Sequence, residues 1–364
     1  MLKIVNVVGA RPNFMKMAPI HRRMQHSNEF APLLIHTGQH YDDRLSRSFF
    51  RDLGMPEPDR YLGVGSGSHA VQTAQVMVDM EKVLLEFRPD WIVVVGDVNS
   101  TLAAALAAVK LHIPIAHVEA GLRSGDRQMP EEINRILTDS IADLLFVTEK
   151  SGLDHLCAEG RHGAGVHLVG NVMIDSLVEQ LPFIEQDPIL ESMGLRPASF
   201  ALLTLHRPSN VDDPQVFAAI VEALDLLQQQ IELVFPIHPR TEKMAGQFGL
   251  LARLQKMNNL RLLPPLGYLP FVRLMKNARL MLTDSGGVQE ETTFFGVPCL
   301  TLRENTERPI TIEMGTNRLV GSNTAAIVAA SQPFLNGGTA QFQIPPLWDG
   351  QASQRIVEIF AALN

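Results

Sequence analysis

Short apolar, β-branched runs alternate with amphipathic stretches along the whole of this chain. In the first half the runs are residues 3–8, 33–37, 91–95, 115–118, 144–147 and 166–169. In the second they are residues 200–205, 233–237, 260–263, 280–283, 299–302 and 319–320. Between them, residues 71–87, 101–111, 214–229 and 268–276 carry helix-compatible patterns. Near-continuous apolar strands joined by helices predict parallel sheets covered on both faces, an α/β fold. The two halves share this plan, and each is about the size of one doubly wound domain. Residues 175–196 are acidic, contain Pro182 and Pro188, and predict the crossing between them. The expected division is a Rossmann-like domain over residues 1–172 and a second over 173–351. A helix-like segment, 352–364, returns to the first.

Composition narrows the function. A chain of 364 residues exceeds the size at which one core keeps growing, so two domains are the default. With 46% hydrophobic and 19% charged residues it reads as soluble and globular. A net charge of -8 argues against nucleic acid as a partner. The 12 histidines show no metal-ligand spacing, so no metal site is expected. Cys157 and Cys299 lie far apart in apolar segments and predict buried thiols in a reducing cytoplasm. The apolar start is too short for a signal peptide, and no stretch approaches 18 apolar residues, so no membrane span is expected.

The candidate chemistry lies where polar residues follow strands, because ligands of open parallel sheets bind beyond the carboxyl ends. The run Leu280-Met281-Leu282-Thr283 passes into Asp284-Ser285-Gly286-Gly287 and then a helix-compatible segment. Free backbone N–H groups of Ser285, Gly286 and Gly287 at a helix start predict an anion site, and Glu291 would lie on an early turn, able to accept from a ribose diol. Alone, the segment also fits an ordinary βα turn. The first strand ends in Gly9-Ala10-Arg11-Pro12-Asn13-Phe14-Met15-Lys16, which is no dinucleotide fingerprint; Arg11 and Lys16 there suit phosphate or are simply solvated. Asp97 and Glu119 follow adjacent runs, with Glu131 and Glu132 soon after Pro130. Mutual repulsion in such a cluster predicts raised pKa values suited to proton transfer, although Asp97 also fits a helix N-cap. His206, with Arg207 beside it, and His238 stand at further strand ends, and Arg308 follows the run ending at Leu302.

These segments together resemble the non-hydrolysing UDP-N-acetylglucosamine 2-epimerases. The matching pieces are Gly9-Ala10-Arg11-Pro12, Thr37-Gly38-Gln39-His40, Gly96-Asp97, the run from His117 to Arg123 and the run from Pro130 to Arg135. In the second half they are Gly170-Asn171, His206-Arg207, the run from Thr283 to Glu291, and Thr306-Glu307-Arg308-Pro309. The resemblance implies two Rossmann-like domains facing across a cleft, the GT-B architecture. It also implies a UDP-sugar substrate, a homodimer, and no metal or nicotinamide cofactor. Asp97, Glu119 and Glu131 are implied as acid/base carboxylates and His206 as the histidine near the leaving diphosphate. Arg11, Ser285, Gly286, Gly287 and Arg308 are implied at the phosphates, Glu291 at the ribose and Phe271 at the uracil.

Two departures from the family pattern stand out. The loop before Pro130, residues 124–129, is short and lacks an aromatic residue, which bears on the sugar. Gly67 and Pro208 stand where allosterically activated members carry arginines. The expectation is a UDP-N-acetylglucosamine 2-epimerase. The same chemistry on a UDP-diacetamido-uronic acid, a GT-B glycosyltransferase and a non-catalytic nucleotide-sugar sensor are the rivals.

Overall fold

The computed structural model describes residues 1–38 and 57–363. The chain divides into two compact units, one of Met1–Glu179 with Pro346–Asn364 and one of Gln180–Pro345. The division falls inside the helix Val172–Gln186, not at its start as the sequence suggested, because the helix continues through Pro182. The returning segment begins earlier than residue 352. Trp348 is buried, and the Leu347 carbonyl packs so closely on Gly170 that a Cβ there would lie 2.1 Å from it. Asp175 then holds the helix Ala352–Ala361, accepting hydrogen bonds from the Ala352 (3.0 Å) and Ser353 (2.7 Å) amides. A carboxylate at a helix start satisfies amides that have no partner within the helix.

The first unit carries β1 (Leu2–Val8), β2 (Phe30–His36), β3 (Arg60–Tyr61), β4 (Trp91–Val95), β5 (Ile115–Ala120), β6 (Leu144–Val147) and β7 (Val166–Leu168). They form a parallel sheet in the order β3-β2-β1-β4-β5-β6-β7. The second carries β8 (Phe200–Thr204), β9 (Glu232–Pro236), β10 (Leu260–Leu263), β11 (Leu280–Thr283), β12 (Cys299–Thr301) and β13 (Asn317–Leu319). Their order is β10-β9-β8-β11-β12-β13, again all parallel. Each sheet therefore reverses direction once, between β1 and β4 and between β8 and β11. Two-faced burial explains the unbroken apolar strands: Val5, Val7, Ile92 and Val94 sit in one core cluster, and Leu203, Phe235, Leu282 and Leu300 in another. Among the described residues no helix is long and apolar enough to cross a membrane.

Two expectations change. The sequence missed the two-residue strand β3, too short to show a period. Cys157 is exposed on the helix Lys150–Ala158, because it lies on that helix's outer face; Cys299 is buried, and burial pushes its thiol up to about 11.

Two buried histidines link this fold to pH. His21 packs its Nδ1 2.8 Å from Asn6 Nδ2, and His36 Nδ1 accepts from the Gly38 amide at 2.7 Å. Burial lowers both pKa values from 6.5 to about 4. A histidine with a lowered folded pKa stabilises the fold in full above its unfolded value, and that contribution disappears as pH falls from 6.5 toward 4. Each is worth of the order of 3 kcal/mol. Thermal unfolding should therefore show the midpoint dropping between pH 6.5 and 4.5, with a shallower drop in His21→Gln. A flat midpoint across that window would contradict the assignment.

Candidate active site

In each sheet the strand order reverses at one place, where neighbouring crossovers leave the sheet on opposite faces and two strand ends open side by side. In the first unit these ends carry Gly9 and Gly96. The helix Arg11–Gln25 starts at once, and Asn13 ties it down: its Oδ1 accepts from the Ala10 amide (3.0 Å) and its Nδ2 donates to the Val95 carbonyl (2.8 Å). Gly9 must lack a side chain, since a Cβ would lie 2.3 Å from Ser100 Oγ. One turn into the helix, Lys16 is buried and pairs its Nζ with Glu119 Oε2. Gly96 is left-handed (φ +67), and a Cβ there would crowd Asn13 Nδ2 at 3.2 Å and Lys16 Nζ at 3.4 Å.

Glu119 is itself left-handed (φ 70) and buried, at the point where the pairing of β5 with β6 slips between Val118 and Ala120. A non-glycine residue in that conformation costs about 1–3 kcal/mol, tolerated where the surroundings over-determine it. The bulge turns its carboxylate toward Lys16. Asp97, on the neighbouring strand end, is held by Arg135, whose Nε and Nη2 lie 3.1 and 3.0 Å from Oδ2. Asn134 Nδ2 donates to the Asp97 carbonyl at 2.8 Å. Arg135 also pairs with Glu132, which accepts from the Ser124 (2.9 Å) and Gly125 (3.0 Å) amides. Burial pushes the Glu132 carboxyl up, but these amides and Arg135 outweigh it, so its pKa lies below the ordinary value. Glu131 stands half-exposed in the first turn of the helix Pro130–Ile141.

This arrangement corrects the expected repulsion. Asp97 and Glu119 are each matched to a cation from a nearby helix, and Glu132 to Arg135 one turn along its own helix, so the charges are compensated rather than crowded. Lys16, expected beside a phosphate, belongs to this carboxylate group. The Arg11 side chain and Gln39-His40 lie outside the described residues.

In the second unit β8 and β11 end together, with Thr204 and Thr283 Oγ1 atoms 2.7 Å apart. Asp284, fully buried, organises both turns. Its Oδ2 accepts from the His206 (2.9 Å) and Arg207 (2.8 Å) amides and from Asn210 Nδ2 (3.2 Å), and His206 Nδ1 lies 2.9 Å from Oδ1. Burial pushes this carboxyl up; the imidazole and the two amides outweigh it and hold the pKa below the ordinary range. With Nδ1 taken, Nε2 is the His206 nitrogen left to meet a ligand. His238 lies 5.6 Å away, ring to ring, and its Nδ1 caps the helix Pro239–Gln247 through the Arg240 amide (3.2 Å). Burial, then the neighbouring His206, lowers its pKa.

The glycine turn differs from expectation in one respect. The Ser285 amide donates to Thr283 Oγ1 at 3.0 Å and so is not free, because a threonine hydroxyl two residues back can reach it. Gly286 and Gly287 open the helix Gly286–Phe295. A Cβ on Gly286 would lie 2.8 Å from Glu307 Oε1. Glu307 is buried between Arg303 (2.9 Å) and Arg207 (3.6 Å); burial pushes its carboxyl up, and Arg308, Arg303 and Arg207 override this and hold it far below the usual range. Arg308, expected to face a ligand, is buried with its Nε 2.7 Å from Glu290 Oε1. A buried guanidinium requires such a counter-charge. Glu291 accepts a hydrogen bond from the Tyr268 hydroxyl at 2.9 Å, and Phe271 lies half-buried three residues on from Tyr268. Sequence reasoning passed over Asn13, Tyr268, Asp284, Asn210 and Glu307. Asp284 had a readable signal, an acid directly after a strand that neighbours the one ending before His206.

Asp284→Ala should cost about 2–4 kcal/mol of stability, since two amides, Asn210 and His206 lose their buried acceptor. Urea unfolding of the second unit's transition measures this; a loss under about 0.5 kcal/mol would remove Asp284 from its central role.

Known proteins are similar to this chain over its full length. The family model described as UDP-N-acetylglucosamine 2-epimerase matches residues 22–361. The UDP-N-acetylglucosamine 2-epimerase of Methanococcus maripaludis is 41% identical over 364 residues, covering 99% of this chain and 98% of that protein. The UDP-2,3-diacetamido-2,3-dideoxy-D-glucuronate 2-epimerase of Pseudomonas aeruginosa is 42% identical over 366 residues, covering 100% of both. A crystal structure of the UDP-GlcNAc 2-epimerase of Methanocaldococcus jannaschii, in complex with UDP-GlcNAc and UDP, is similar at a TM-score of 0.91 and 41% identity, covering 99% of this chain and 100% of that one. With a match that runs through both sheets and both strand-end sites, the chain belongs to the UDP-N-acetylglucosamine 2-epimerase family.

Proposed function

We propose that this epimerase interconverts UDP-N-acetylglucosamine and UDP-N-acetylmannosamine. The observation that carries the reading is Asp97 and Glu119 at the adjacent ends of β4 and β5, beside the sheet's reversal, in a chain 41% identical throughout to an enzyme of that name. The C2 hydrogen of such a substrate is not next to a carbonyl, so simple deprotonation is steeply uphill. The accessible route is elimination: a base takes the C2 proton, the C1–O bond breaks, a C1–C2 double bond forms, and UDP leaves with the electron pair. Re-addition of UDP with a proton delivered to the opposite face gives the epimer.

Such a route needs carboxylates for the proton and donors for the departing diphosphate. We assign the first role jointly to Asp97, Glu119 and Glu131. The second falls to His206, steadied through Nδ1 by Asp284, with Arg11, Arg207 and the Gly286 and Gly287 amides. Glu291 takes the ribose hydroxyls and Phe271 the uracil. The reading includes a cytoplasmic homodimer supplying surface polysaccharide synthesis. The Pseudomonas relative, at 42% identity over the full length, favours a second reading with the same chemistry on a UDP-diacetamido-uronic acid. NMR of C2 configuration across both UDP-sugars decides between them.

In heavy water the epimer should acquire deuterium at C2, and free UDP should leak slowly. Asp97→Asn, Glu119→Gln and Glu131→Gln should each slow turnover by roughly 10²–10⁴, the range for a positioned acid or base. Retention of the original C2 hydrogen would sink the elimination route.

Glu291→Ala should weaken UDP binding by about 1–3 kcal/mol, since the ribose hydroxyls lose their acceptor. Calorimetric titration with unchanged UDP affinity would remove Glu291 from the ribose site.

A further inference from the structure

Beneath the carboxylates of the first unit lies a buried polar group with no part in binding. His117, on β5, is fully buried and faces an acceptor at each ring nitrogen. Its Nε2 lies 2.9 Å from the Gly96 carbonyl, which can only accept, so that nitrogen carries hydrogen. Its Nδ1 lies 2.6 Å from Asp139 Oδ1. Asp139, also fully buried, accepts with Oδ2 from the Gly121 amide at 3.0 Å and pairs with Arg123 Nη1 at 2.8 Å. Arg123 is anchored in turn by Glu159.

The endpoints of this chain of contacts are what matter. Gly96 is the residue before Asp97, and Gly121 lies two residues after Glu119. Both glycines are left-handed, with φ of 67 and 82, and so is Glu119 between the sheet and Gly121. Asp139 sits on the helix Pro130–Ile141, which also carries Glu131 and the Arg135 that grips Asp97. One imidazole and one carboxylate therefore join the backbones at both strand ends to the helix bearing the third acid. The β4–β5 ladder ends with the Gly96 amide donating to the Val118 carbonyl at 3.0 Å, and the β5–β6 pairing slips at Glu119, so the tie onward to Gly121 and to the helix is made by His117 and Asp139.

We infer that His117 and Asp139 are positioning residues for the epimerisation, fixing the backbones of Asp97 and Glu119 relative to one another through Gly96 and Gly121. The inference rests on the elimination route proposed above. Displacing a proton-transfer group by about 1 Å can cost roughly 10²-fold in rate without touching the substrate's own binding groups.

The test compares two variants that both lose the imidazole. A glutamine amide reaches the Nε2 position and can still donate to the Gly96 carbonyl; an asparagine amide reaches only the Nδ1 position. His117→Asn should lower kcat by about 10²-fold with KM within about threefold, whereas His117→Gln should recover at least about tenfold of that loss. UDP affinity should match wild type in both, and His117→Asn should release more free UDP per epimer formed. A filler role would depress the two variants alike, so equal kcat values, or an unchanged kcat in His117→Asn, would overturn the inference. If neither variant folds, Asp139→Asn, which keeps the shape and removes the charge, carries the test: a kcat drop at constant KM supports the inference and an unchanged kcat refutes it. The wild-type control separates the two levels. No C2 deuterium in wild-type product sinks the proposed route, while deuterium in wild type with unaffected variants sinks only the positioning roles.

Discussion

Every strand in both sheets is parallel, and that single constraint places the chemistry. A parallel strand cannot return through a hairpin, so each connection crosses over through a helix. Where the order reverses, between β1 and β4 and between β8 and β11, successive crossovers leave the sheet on opposite faces. The strand ends at that point stay open. Gly9 and Gly96 in one unit, and Leu205 and Asp284 in the other, occupy those ends. The glycines follow from it: Gly9 and Gly96 must clear Ser100, Asn13 and Lys16, which all converge on the gap.

Open strand ends under helix termini are buried enough to make charge costly, and the structure meets that cost by pairing. Lys16 faces Glu119, Arg135 spans Asp97 and Glu132, Arg308 faces Glu290, and Glu307 sits between Arg303 and Arg207. Removing one member of such a pair exposes the other to the full desolvation penalty, so the pairs fail together rather than singly. The second unit solves the same problem with neutral donors as well. Asp284 relies on two amides and an asparagine as much as on His206, which leaves the imidazole oriented by Nδ1 with its other nitrogen outward.

The alternation of apolar runs made both sheets legible in the sequence, because strands buried on two faces leave an uninterrupted apolar signature. Asp97, Glu119 and His206 were legible too, since each is the first charged or titratable residue after such a run. Partners were not. Whether Lys16 meets a phosphate or Glu119 depends on how a helix rotates over a strand a hundred residues away, and local pattern carries no such information. The pairing of Arg308 is hidden for the same reason: its counter-charge Glu290 lies on the helix Gly286–Phe295. The Ser285 amide depends on a local matter, the forward reach of the Thr283 hydroxyl, which accepts from it.

Glu119 shows how these layers meet. Its left-handed backbone is unfavourable by itself, and a glycine there would relieve it. A glycine would also delete the carboxylate and leave Lys16 without its partner, so the strain and the ion pair are bound to one residue. The conformation persists because it is held from several sides: Lys16 takes the side chain, Asp139 takes the amide two residues on, and His117 ties the neighbouring strand end to the same carboxylate. The buried carboxylate meets Lys16 and lies beside Gly96, 3.5 Å from where a Cβ on that glycine would stand. The buried network beneath the strand end is therefore what holds a strained residue in place there.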